Sequence, residues 1–87
     1  MNTVELMQQK LSLLQPETVD IQDDSAQHAG HAGARDGGGH YSLRIISAKF
    51  NGMSSLARHR LIHATLGELM HTQIHALTIV AQSSLEV

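Results

Sequence analysis

The chain has 87 residues, of which 41% are hydrophobic and 16% charged, with a formal net charge of −2, no cysteine and seven histidines. That length allows one domain, residues 1–87, and leaves little room for an internal cavity. The lack of cysteine excludes a disulfide framework, a thiolate zinc site, a cysteine nucleophile and an iron–sulfur cluster held by this chain alone, and Tyr41 and Phe50 are too few aromatics for a base-stacking surface.

Thr3 is placed to cap a helix over residues 4–14, where Val4, Met7, Leu11 and Leu14 make one apolar stripe and Pro16 stops the run. Residues 18–23, TVDIQD, alternate polar and apolar as a half-exposed strand does. Residues 25–39 form a flexible Gly/His-rich loop with no large apolar side chain. A second strand is expected over 40–49, with Tyr41, Leu43 and Ile45 on one side and His40, Ser42 and Arg44 on the other. Phe50-Asn51-Gly52 reads as a turn, and Ser54 or Ser55 as the cap of a helix reaching about Met70. At 100° per residue, Leu56, His59, Ile62, Leu66, Leu69 and Met70 are assigned to its apolar face. A last strand covers 74–81, with His75, Leu77 and Ile79 expected on one side.

The order helix–strand–strand–helix–strand implies an α+β fold. The first two strands should be antiparallel, and the pair flanking the second helix parallel through a crossover. The product is an αββαβ two-layer sandwich, a three-stranded mixed sheet with the helices on one face. No apolar run approaches the ~18 residues of a membrane span. The opening segment MNTVELMQQK has neither the basic nor the apolar region of a secretion signal, so a cytoplasmic location is expected.

Charge is unevenly spread. Residues 1–36 carry two basic and six acidic side chains, net −4, and residues 37–87 carry four basic and two acidic, net +2. Arg44, Lys49, Arg58 and Arg60 could meet phosphates, but four charges give only weak, salt-sensitive binding. KH domains clamp nucleic acid with a GxxG loop, and the turn FNGMSS has a single glycine. His59 and His63 have metal-chelating spacing, but no glutamate accompanies them as in HExxH, and a packing role for His59 is the better reading. No nucleophile triad, P-loop or GxGxxG element is present, so no enzyme class is indicated.

Five pieces occur in order: D-D-S-A-Q-H at 23–28, H-Y at 40–41, F-x-G at 50–52, R-H-R at 58–60 and I-H-A-L at 74–77. With their spacing, the chain resembles the BolA family from residue 4 to residue 81. The resemblance implies a type II KH-like fold. It further implies a non-enzymatic adaptor that pairs with a monothiol glutaredoxin and shares a [2Fe-2S] cluster with it and with glutathione, with no cofactor when alone. The family's ligand in I-H-A-L falls on His75. The second ligand falls in the loop, where S-x-x-H selects His28 and counting back from His40 permits His31. Arg44, Lys49, Arg58, His59 and Arg60 become the surface for the glutaredoxin or, in the alternative reading of a KH-like transcriptional regulator, for weakly bound DNA. No membrane partner is expected, and a monomer or weak homodimer when alone.

Overall fold

The structure, a computed structural model, describes residues 1–25 and 39–87. Helix α1 spans Thr3–Leu11 and continues as a 3-10 turn over Ser12–Leu14. Its cap is Asn2, not Thr3. The backbone of Asn2 is extended, and its side chain accepts from the Glu5 N–H at 2.8 Å while its own N–H donates to Glu5 Oε1 at 3.3 Å. Thr3 is already helical, and its hydroxyl donates to Gln73 Oε1 at 2.7 Å, tying the start of α1 to a distant part of the chain. Met7, Leu11 and Leu14 are buried as the stripe predicts, and Leu13, off the stripe, is 74% exposed. Gln15 turns left-handed ahead of Pro16 and ends the run.

Strand β1 occupies Thr18–Asp23, the predicted residues. Strand β2, Gly39–Ile46, ends three residues before the expected position. The buried Ser47 accounts for the early end. Its hydroxyl donates to the Leu14 carbonyl at 2.6 Å and accepts from the Lys49 N–H at 3.0 Å, capping a 3-10 turn over Ala48–Phe50. That turn drives Phe50 fully into the core.

Ser54 caps helix α2, Ser55–Leu66. The predicted continuation to Met70 is broken by Gly67, whose φ of +56° ends the helix. A short helix α3, Leu69–Thr72, follows. Ile62, Leu66 and Leu69 are buried, whereas Leu56 is 60% exposed. Leu56 lies six residues before Ile62, which places it about 120° round the helix from that side chain.

Strand β3, Ile74–Gln82, completes a sheet of order β1-β2-β3. β1 and β2 are antiparallel, with Thr18 opposite Ile46 and Asp23 opposite Tyr41; β2 and β3 are parallel, with Tyr41 beside Leu77 and Leu43 beside Ile79. Tyr41, Leu43 and Ile45 face the helices and form one core with Met7, Leu11, Phe50, Ile62 and Leu66. The two-layer α+β arrangement expected from the element order is therefore the fold.

Candidate functional site

The alternation of β2 leaves His40, Ser42 and Arg44 on the sheet face away from the helices. β3 is less regular. Gly39 pairs with Ile74, but His40 pairs with Ala76, so His75 is the extra residue of a bulge. Ile74 before it is buried, and Leu77 and Ile79 after it pack on the core, while His75 itself is exposed. The expectation that His75 shares a side with Leu77 and Ile79 fails for this reason. The bulge turns His75 toward His40, and the two ring centroids lie 5.2 Å apart with a 48° tilt.

His40 is held from several directions. Its N–H donates to Ser25 Oγ at 3.1 Å, and its carbonyl accepts from the Asp24 N–H at 2.7 Å. Asp24 accepts in turn from the Ser42 hydroxyl at 2.5 Å. Beside it, the Gly39 N–H donates to the Gln73 carbonyl at 2.9 Å, closing the sheet at the bulge. Asp23 accepts from the Ser25 N–H at 2.9 Å, and hydrogen bonds from the Ser25 side chain and backbone hold its carboxyl below the usual aspartate range. The Asp23–Ser25 turn is thereby fixed against the residue next to His75. His28 and His31 lie outside the described residues.

The five residues assigned to a docking surface come from three elements, β2, the 3-10 turn at Ala48–Phe50 and α2. Arg44 is on the open sheet face, 49% exposed at its side chain, 3.8 Å from Asp20 and 3.3 Å from Gln82 Oε1. Lys49 is exposed at the 3-10 turn, by a hollow lined by Leu14, Gln15, Ser47 and Ala48. Arg60 is exposed and His59 half-buried on α2, in the helical layer. Arg58 departs furthest from the expectation. Its side chain is only 13% exposed and donates to the Met53 carbonyl, the Ala81 carbonyl and Glu86 Oε1, at 3.0, 3.0 and 2.6 Å. Those bonds join α2 to β3 and to the turn at Ser84–Glu86, which makes Arg58 an internal clamp.

A shallow groove of 270 Å³ on the open face is lined by residues that include Asp20, Gln22, Ser42, Arg44, Thr78 and Val80. It is below the size of ordinary small-molecule sites. Among the described residues there is no group of three or more side chains able to hold a metal ion, and no helix is long and apolar enough to cross a membrane. The chemistry on offer is therefore an exposed imidazole with a second imidazole against it. His40 is the residue that sequence reasoning passed over. The H-Y pair is legible in the sequence, but the proximity of His40 to His75 depends on the β2–β3 register.

Residues 11–86 match the family of BolA-like proteins. The chain is 44% identical over 79 residues to "SufE-like protein 1, chloroplastic/mitochondrial" of Arabidopsis thaliana, covering 85% of this chain and 21% of that protein. It is 34% identical over 76 residues to "DNA-binding transcriptional regulator BolA" of Escherichia coli (strain K12), covering 86% of this chain and 70% of that protein. The solved structure of BolA1 from Arabidopsis thaliana superposes with a TM-score of 0.86 at 38% identity, covering 100% of this chain and 97% of that one. Against several plant and mammalian relatives the chain spans only between 21% and 56% of their length. The plant relative's name places that protein in chloroplasts or mitochondria, compartments not anticipated by the expectation of a cytoplasmic chain.

Proposed function

The chain belongs to the BolA-like protein family, and on that premise we propose that it is a non-enzymatic adaptor. In this reading it pairs with a monothiol glutaredoxin and contributes imidazole ligation to a [2Fe-2S] cluster in iron–sulfur trafficking or iron regulation. The observation that carries the proposal is the placement of His75. A bulge lifts this residue out of the strand's alternation and exposes it beside His40, in a chain without a single thiol.

The donor set fits a shared group. A [2Fe-2S] cluster takes four ligands, ordinarily thiolates, and tolerates replacement of some by imidazole. This chain supplies imidazole only: His75, with His28 or His31 as the candidates for a second ligand. The thiolates then come from the glutaredoxin cysteine and from glutathione. Imidazole in place of thiolate raises the cluster's potential and makes ligation sensitive to protonation, which suits an adaptor that passes the group on. Within the chain, β3 holds His75 on a rigid element, the arrangement a ligand needs to meet a partner's donors with little ordering cost. Arg60, Lys49 and Arg44 are exposed cations available to meet glutathione's carboxylates.

The test is reconstitution. The chain is mixed with a monothiol glutaredoxin, glutathione, iron and sulfide, and visible absorption and circular dichroism are recorded. The expected product is a coloured one-to-one complex whose spectrum differs from that of the glutaredoxin's own cluster and reverts to it in His75→Ala. A spectrum that is the same with and without this chain sinks the proposal.

A second reading, a nucleic-acid-binding regulator, is supported by the name of the Escherichia coli relative. Against it stand the internal bonds of Arg58, which withdraw one of the four cations.

A further inference from the structure

We infer that His40 is a positioning residue for His75, holding the exposed imidazole in one orientation by ring contact; this rests on the reading of His75 as a ligand. An exposed histidine at a strand bulge has two freely rotating side-chain torsions, and any orientation it must adopt to ligate costs rotamer entropy. His75 is not left in that condition. The ring of His40 lies against it, with centroids 5.2 Å apart and a 48° tilt, inside the range of favourable aromatic contacts.

The contact has the features of a support. His40 belongs to the central strand, with a neighbour strand on each side. Its N–H and carbonyl are both bonded to the Asp24–Ser25 turn, and its Nε2 is buried. His75 is exposed on the edge strand. One ring is anchored and half-buried while the other is presented to solvent, so the order passes from His40 to His75. Without the bulge, alternation would carry His75 to the face that holds Leu77 and Ile79. The bulge and the ring contact together aim the side chain, and neither alone does so.

The experiment uses His40→Ala, which removes the ring, and His40→Phe, which keeps a ring but no nitrogen. Should the alanine variant fail to fold by far-ultraviolet circular dichroism, His40→Asn carries the same expectation. In the chain alone, side-chain coupling constants from NMR report the His75 torsions. A single rotamer is expected in wild type and in H40F, and averaging in H40A. In the reconstituted complex, iron transfer to a chelator should be about 10-fold or more faster with H40A, the usual effect of losing a group that orients a ligand, and near wild type with H40F. Unchanged His75 couplings in H40A overturn the inference, as does an H40F variant that behaves like H40A, since a ring nitrogen would then be what matters. Failure of the ligand reading shows differently, as a cluster spectrum indifferent to His75→Ala, and the couplings in the chain alone still decide the role of His40.

Discussion

A β-carbon at position 39 would lie 2.6 Å from the ring of Tyr41, which is buried in the core. Only glycine lets the strand begin there with Tyr41 in place. Gly39→Ala should therefore cost about 1–3 kcal/mol by overpacking, read as a lower urea midpoint with an unchanged slope, and should shift the NMR resonances of His40 and His75 across the bulge. His75→Ala contrasts with it. The side chain is exposed, so its loss should move stability by no more than ~0.5 kcal/mol. A mutant that lost both cluster and fold would be reporting a structural residue. How far the site was legible differs residue by residue. Resemblance placed a ligand at His75, but the face it occupies was misread, because a bulge is a property of the pairing with β2 and leaves no mark in the local alternation of β3. His40 was correctly put on the open side of its strand, yet its contact with His75 spans 35 positions of sequence and needs the parallel register.

Elements with their own periodicity were legible to the residue or nearly so. β1 falls on Thr18–Asp23 as read, since its alternation and its boundaries are both local. Where the boundaries missed, a distant or conformational partner was responsible. β2 stops early because Ser47 is claimed by the Leu14 carbonyl, and α2 stops at Leu66 because Gly67 takes up a positive φ. Arg58 of the R-H-R segment is a case of the same kind. An arginine on a helix reads as a solvated cation, but Arg58 reaches, besides the nearby Met53 carbonyl, the Ala81 carbonyl and the Glu86 carboxylate, which only the β3 crossover and the turn beyond it bring to the helix. Arg58→Lys should cost ~2 kcal/mol, because an ammonium cannot span the same three acceptors as a planar fork; chemical unfolding measures it. Glu86 supplies the pH dependence of this clamp. The Ser83 backbone N–H, then the Arg58 guanidinium, hold its carboxyl below the usual glutamate range. A carboxyl whose pKa is lower folded than unfolded adds stability that is complete above the unfolded value, about 4.3. That stability is lost as pH falls through the folded value. The acid limb of a thermal-unfolding series below about pH 4.3 should thus flatten in Glu86→Gln, with the two carbonyl bonds of Arg58 left in place.

For the whole molecule, the useful quantity is where charge remains available once the fold is made. The sequence divides into an acidic first part and a basic remainder, and that division suggests one cationic surface. Folding distributes it over several elements. Arg44 stands on the open sheet face beside Asp20, Lys49 on the 3-10 turn, Arg60 on the helical layer, and Arg58 is consumed internally. A rigid duplex lying on one face meets one or two of these cations at a time. Each neutralised phosphate contributes a slope of about −0.9 in log affinity against log salt, so this chain alone should show a slope no steeper than about −2 and a Kd no tighter than ~10⁻⁶ M at physiological salt. Arg44→Ala and Arg60→Ala should each weaken such binding equally for all sequences, as phosphate contacts do, while Arg58→Lys should leave it unchanged at temperatures where the variant is folded. Fluorescence anisotropy with two unrelated duplexes over a salt series measures all of this. Nanomolar binding to one duplex only, with a steep slope, would require more phosphate contacts than one or two of these cations supply, and would shift the balance from adaptor to regulator.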